Sequence, residues 1–295
     1  MPEATHTIES RHSVPPISWS RRATDHAMTG VAILTVVLVL VPLVAIFGYL
    51  LYRGVSSLNW AFLTQTPRPP GETGGGVANG IVGSAIILGI ASLLGVPLGI
   101  GAGIYLAEYG RNRLGDTVRF TADVLNGVPS IVIGIVAYAI VVLYQKHFSA
   151  LAGGVALAMM MIPTISRTTE EMLLLVPRAL REAAYGLGIP RWRTTLSITL
   201  RAATSGVLTG VMLAFARVAG ETAPLLFTTL GNEFWNLRLD QPTGALPLQI
   251  FNYAKSPYDD WHRQAWAGAL VLILLIVSSI AAVRFAVRRG SFGAA

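Results

Sequence analysis

PRALREAAYGLGIP, residues 177–190, sets good helix formers between a proline near its start and glycines near its end, and so predicts a short helix. Apolar runs flank it, Ala150 to Ile165 before it and Ile198 to Leu230 after it. The helix therefore lies on a loop, from about Ser166 to Ser197, that joins two membrane spans. Arg167, Arg178, Arg181, Arg191 and Arg193 crowd this loop, and cations gather on the cytoplasmic side of a membrane protein.

Further apolar runs follow outward in both directions. Met28 to Tyr52, Gly80 to Glu108, Thr121 to Gln145 and Gln264 to Val287 bring the expected number of transmembrane helices to six. The 295 residues are 53% apolar and 13% charged, whereas a soluble domain carries roughly a quarter of its residues as charges. Together with a mean hydropathy of +0.59, this excludes a cytosolic enzyme, a secreted domain and a disordered regulator. The runs are continuously apolar and do not alternate, which excludes barrel strands and leaves an all-α polytopic membrane helix bundle. Residues 1–27, with Pro15-Pro16 and Arg21-Arg22, read as a disordered cytoplasmic tail and not as a cleaved signal, because the apolar run behind them is too long and lacks a small-residue cleavage site. Fifteen of the 22 basic residues, Arg11, Arg119, Arg288 and Arg289 among them, fall on the inner side. Six fall outside, Arg53, Arg68, Lys146, Arg238, Lys255 and Arg263, so both termini are expected in the cytoplasm. The remaining cation is Arg217, inside the fifth span.

Several chemistries lack their parts. With no cysteine there is no disulfide, thiolate metal site or thiol nucleophile. Neither lysine, Lys146 or Lys255, follows a glycine, so no phosphate-binding loop of the Walker type exists. The five histidines fall in tails and outer loops with no pair at helical spacing, and no Gly-x-Ser-x-Gly occurs. No nucleophile and base stand together within the spans, so the chain is not expected to be an enzyme, to hold a cofactor or metal, or, despite a net charge of +7, to bind nucleic acid. GETGGGVANG at 71–80 reads as a flexible outer loop, and Trp235, Tyr253, Trp261 and Trp266 as an interfacial aromatic belt. Gly95, Gly99 and Gly103 recur four apart on one helix face, which suits close packing within a bundle.

The fifth span contains Ala216-Arg217-Val218-Ala219-Gly220-Glu221-Thr222-Ala223-Pro224. Placing an arginine near the membrane centre costs about 2.5–3.5 kcal/mol on insertion scales, which makes a place on a substrate pathway the default reading. Its planar fork of donors suits a tetrahedral oxyanion. Glu221, four residues on, lies on the same face of a continuous helix and pairs with it when no anion is present. It also accepts the hydrogen of hydrogen phosphate, whereas sulfate offers only acceptors. Pro224 lacks the N–H that would bond Gly220, which predicts a kink or break beside the pair. The bland alternative is an ion pair that only fixes helix packing.

Glu182-Ala183-Ala184, followed by Gly188, Ile198 and Leu200, resembles the EAA loop of the integral-membrane subunits of ABC importers. Arg201 stands where that motif has proline. ARVAGETAPLLFTTLG from Ala216, GVPSIVIG at 127–134 and ALPLQIFNYAKSPYDDWHRQAWAGAL at 245–270 look like the permeases of phosphate-specific ABC importers, of the PstA type. The resemblance implies the type I ABC importer permease fold over residues 75–289, with residues 28–52 as a first transmembrane helix and 290–295 as a tail. It also implies a bacterial inner-membrane location. The implied partners are a second homologous permease (PstC type), an ATPase dimer (PstB type) that binds ATP and Mg, an extracytoplasmic phosphate-binding protein (PstS type), and the lipid bilayer. It carries onto Glu182, Ala183, Ala184 and Gly188 a docking role toward the ATPase, and onto Arg217, Glu221 and Thr222, with Ser130 after Pro129 as a further lining residue, a place on the phosphate path. Other oxyanions (sulfate, molybdate, phosphonate) and a non-transporting scaffold or sensor of phosphate status stay open as alternatives.

Overall fold

The computed structural model describes residues 18–291, with side chains through residue 285. The expectations placed on Arg11, Pro15-Pro16 and the side chains of Arg288 and Arg289 lie outside that range. The chain forms two compact units, Met1–Tyr49 and Leu50–Ala295. Among the described residues there are eleven helices and no strand beyond one isolated bridge, Pro67 to Gly75. Five are long and apolar enough to cross a membrane, or six if one bent pair counts as a single span.

Helix α1 (Trp19–Val55) fills the described part of the first unit and runs into the second. Its side chains from Met28 to Tyr49 are all exposed within the chain, as expected for a helix that lipid or a partner covers. It begins nine residues before the predicted span, so residues 19–27 are helical and not an irregular tail. The physical reason is local: Trp19 to Ala27 contains neither glycine nor proline, so nothing stops the helix from continuing past its apolar part.

After the short α2 (Trp60–Thr64), the second unit is built on α3 (Ala78–Glu108) and α6 (Ala150–Leu174). The glycine stripe of α3 makes this contact. A methyl group added at Gly95 would lie 3.0 Å from Met161 Cβ, one at Gly99 2.7 Å from Ile165 Cβ, and one at Gly103 2.5 Å from Thr169 Cβ. Bare backbone at three successive turns lets the axes approach, so packing is what the stripe does. Helix α8 (Arg191–Ala219) closes on the other side of α6, where Gly206 receives Met172 and Gly210 receives Thr168. Ile87, Leu157, Met161, Ile165, Ala214 and Val218 form the core among these three helices.

The membrane span expected from Ala150 to Ile165 extends through Leu174 as one helix, so the connecting loop is shorter than predicted. Glu170, only 3% exposed, makes that extension possible. Its carboxylate is met by Arg119 Nε at 2.7 Å and Arg167 Nη1 at 3.1 Å, and a buried charge so paired does not end a helix. At its Ala150 end, Ser149 Oγ caps the helix by accepting from Ala152 N.

The third predicted span, Thr121 to Gln145, is not straight. It is α4 (Arg113–Gly127) and α5 (Ser130–Gln145), bent by 110°. Val128 takes an extended conformation, φ −70° and ψ 133°, because a residue before proline is driven out of the helical region. The fifth span is also divided. Helix α8 stops at Ala219, and a short α9 (Ala223–Thr228) follows. The loop beyond it contains α10 (Leu246–Ala254) before α11 (Asp259–Ser291). Tyr253 and Trp261, assigned from the sequence to an aromatic belt, instead stack on each other at 4.8 Å within a core that includes Phe62 and Leu246. Burial pushes the Tyr253 phenol up to about 12.

Candidate functional site

Two helix breaks meet beside the middle of α6. On α4, Asn126 lies one residue before the final Gly127, and its Oδ1 accepts from Thr164 Oγ1 of α6 at 3.0 Å. Pro129 then opens α5, with Ser130 as its first residue and Val132 N bonded to Pro129 O. The second break follows Gly220. Because α8 faces Thr168 at Gly210 and runs antiparallel to α6, Arg217, two turns further, is level with Met161 of the 25-residue α6, close to the midpoint of that helix. The broken halves touch: a methyl group at Gly134 of α5 would lie 2.7 Å from Pro224 Cα of α9. Discontinuous helices paired at mid-depth are the arrangement by which transporters turn helix ends and free backbone groups toward a polar substrate.

Pro224 does more than kink the span. It occupies the first turn of α9, where its missing N–H needs no acceptor, and it starts a new helix. Glu221 N bonds to Val218 O, and Thr222 O accepts from Leu225 N and Leu226 N, so the backbone groups at the break find local partners.

The break also changes the chemistry. Glu221 lies beyond the end of α8, so the four-residue helical spacing to Arg217 no longer brings the two side chains onto one face. Among the described residues Arg217 makes no ion pair with Glu221 or with any other carboxylate. Arg217 is exposed, and Glu221, Thr222 and Ser130 are half-buried. The predicted neutral pair is therefore replaced by a separated cation and anion on either side of a break. An apolar cavity of about 300 Å³ between α3, α8 and α11, lined by Leu88, Phe215 and Leu275, has no charged side chain and does not suit an anion.

A second cluster lies at the Leu174 end of the bundle. Helix α7 (Arg178–Gly186) is the short helix read from PRALREAAYGLGIP. Ala184 is buried, while Glu182 and Ala183 are exposed, so the motif shows one face inward and another outward. Gly188 ends the helix with φ +76°; Gly188 N bonds to Tyr185 O and Ile189 N to Ala184 O. That pair of bonds closes a helix with a left-handed residue, a conformation glycine takes without a side-chain penalty. Leu187 and Trp192 are 81% and 62% exposed, an apolar surface beside the outward face that suits a protein partner.

Sequence reasoning missed three contacts here: Arg119 with Glu170, Arg181 with Glu108, and Asn126 with Thr164. The first had a signal, since only four residues separate Glu170 and Glu171 from an apolar run too short, at 16 residues, to cross a bilayer that needs about 20.

Residues 95–291 match the family described as binding-protein-dependent transport system inner membrane component. The chain is 50% identical to the phosphate transport system permease protein PstA of Yersinia pestis over 240 residues, 80% of this chain and 81% of the relative. It is 45% identical to that of Haemophilus influenzae over 258 residues, covering 87% and 91%. Phosphate transport system permease protein PstA 1 of Mycobacterium tuberculosis is 35% identical over 282 residues, 93% of this chain and 93% of the relative. In fold the chain is similar to the MetNI methionine ABC transporter solved in inward-facing conformations, with a TM-score of 0.56 at 17% identity over 72% of this chain and 94% of that one. By the family match and by relatives aligned along most of both chains, the protein belongs to the binding-protein-dependent transport system inner membrane components, among which its PstA relatives stand.

Proposed function

We propose that this chain is the membrane-spanning permease subunit of an ABC importer for inorganic phosphate, working by alternating access in a bacterial cytoplasmic membrane with both termini inside. Arg217 carries the reading. An exposed guanidinium beside a helix break at mid-depth is costly against lipid, by about 2.5–3.5 kcal/mol on insertion scales. It is tolerated where a second subunit covers it and water reaches it, so the path runs along this face, between the chain and a homologous permease. Bidentate donation to a tetrahedral oxyanion suits the fork of Arg217. Glu221, Thr222 and Ser130 line the same path, with Glu221 accepting the hydrogen of hydrogen phosphate. The names of the relatives support phosphate as the cargo.

ATP hydrolysis belongs to a separate ATPase dimer that docks on the outward face of α7 through Glu182 and Ala183, while buried Ala184 seats the helix against the bundle and Gly188 holds its end. An extracytoplasmic phosphate-binding protein delivers substrate to the opposite face. No cofactor resides in this chain; ATP and Mg are held by the ATPase.

The test is ATP-dependent uptake of labelled phosphate into proteoliposomes holding the whole complex, compared between the native chain and Arg217→Ala at equal assembly. Uptake by the native complex with loss in the variant is expected. Equal uptake by both would return Arg217 to a packing role, and no uptake by either, with uptake of sulfate or molybdate instead, would change the cargo.

A further inference from the structure

One side chain of helix α7 makes its polar contacts to α3 and α6. Arg181 lies on the inward face with Ala184, three residues on. Its Nη1 stands 2.7 Å from Glu108 Oε1, and its Nη2 donates to Leu173 O at 2.6 Å. Among the described residues no other hydrogen bond or ion pair connects α7 to α3 or α6. The two charged side chains are 16% and 6% exposed, and Arg181 Nε has no partner. A buried ion pair that leaves a donor unsatisfied stabilises less than well-packed apolar residues would. Separating the two would leave both charges buried and unpaired, so the contact stays made as α7 moves and carries its displacement to Glu108.

Glu108 is the last residue of α3, and α3 is a single helix of 31 residues, about 45 Å long. The glycine stripe binds it to α6 along its length. Arg119 of α4 clamps its Glu108 end, donating to Leu106 O at 3.0 Å and Gly110 O at 2.9 Å while holding Glu170 of α6. The inner ends of α3, α4 and α6 are thus one block, and Arg181 is the bolt between that block and α7. At the far end of α3, Ser84 Oγ accepts from Leu246 N at 2.8 Å, and Asn79 Nδ2 donates to Asn232 O. Gly83 lies against Gly244 O so closely that no methyl group fits between them. The floor of the loop in front of α10 therefore rests on the Asn79 end of the helix whose other end holds Arg181.

We propose that Arg181 and Glu108 are positioning residues which deliver displacement of α7 to α3, and through it to the loop at 243–246, so that the far face of the bundle opens and closes in step with the partner docked on α7. This rests on the transport reading above. It assigns the stroke a route through α3, in addition to the covalent route from α7 into α8.

The native chain has no cysteine, so a single reporter can be placed in it and its labelling read on this subunit's own band. Ala245→Cys puts a thiol at a position that is 2% exposed, and its labelling by a thiol reagent in the assembled, reconstituted complex is measured with and without ATP and vanadate. Nucleotide is expected to change the labelling rate roughly tenfold, the size of an ordinary coupling between sites. Arg181→Gln and Glu108→Gln each abolish most of that change while assembly and basal ATP hydrolysis persist, and the exchanged pair Arg181→Glu with Glu108→Arg restores it. Persistence of the full change in both neutral variants overturns the proposal, as does an unresponsive native complex. Failure of the double exchange while single variants lose assembly assigns the pair to folding and overturns it too. Labelling does not depend on the cargo, so a native complex that responds to nucleotide without taking up phosphate refutes the phosphate reading and leaves this one standing.

Discussion

At the scale of single residues, the separation of Arg217 from Glu221 matters most. A direct pair would neutralise the site and compete with an anion for the guanidinium. The break at Gly220 keeps them apart and leaves the guanidinium available. On the proposed function Glu221 is the selector, because a carboxylate accepts from an anion that brings a hydrogen and repels one that brings none. Glu221→Gln is expected to keep phosphate uptake and raise inhibition by sulfate, roughly tenfold, as one charge-assisted hydrogen bond is worth. Competition uptake in proteoliposomes measures it, and unchanged sulfate inhibition in an active complex would refute the assignment. Arg217→Lys keeps the charge but loses the fork, so part of the activity is expected to remain where Arg217→Ala retains none.

The glycines of α3 show how different positions on one element carry different loads. Gly99 faces Ile165 with no room for a methyl group, whereas Gly89 and Gly101 have nothing within 4 Å of where one would go. Gly99→Leu is expected to lower the thermal stability of the detergent-solubilised complex by about 1–3 kcal/mol through overpacking. Gly101→Ala should leave melting within error of the native value. Equal melting temperatures for the two variants would show that α3 and α6 are not held by this stripe. The same reasoning applies to Gly134 against Pro224, where α5 and α9 meet across the two breaks.

Over the whole molecule, the two sites lie at different depths and divide the work. On the proposed function the broken spans beside the middle of α6 form the passage, and α7 at the Leu174 end of the bundle receives the drive. Glu182→Lys reverses a charge on the outward face of α7, and Gly188→Val forces a β-branched residue into φ +76°. Both are expected to reduce co-purification of the ATPase, and uptake with it, while the chain still inserts in the membrane at native level. Full co-purification and normal uptake in both would remove α7 from the docking surface.

The sequence by itself determined the all-α membrane architecture, the places of the apolar runs, the role of the glycine stripe and the break at Pro224, whereas the break at Pro129, inside the span expected from Thr121 to Gln145, came only from the structure. Each of the features legible in the sequence depends on a local sum or a single backbone constraint: hydropathy over about 20 residues, bare backbone every fourth residue, a proline with no N–H to give. Gly188 was legible for the same reason, since a glycine just past a run of helix formers is a cap wherever the helix sits. Only the tertiary structure decided that α6 runs on to Leu174, because Glu170 is neutralised by Arg119, 51 residues away in sequence. It alone separated Arg217 from Glu221, since the four-residue rule presumes a helix that the packing of Pro224 against Gly134 had already ended. And it alone joined Arg181 to Glu108, a pairing set by where α3 finishes beneath α7, which no spacing along the chain encodes.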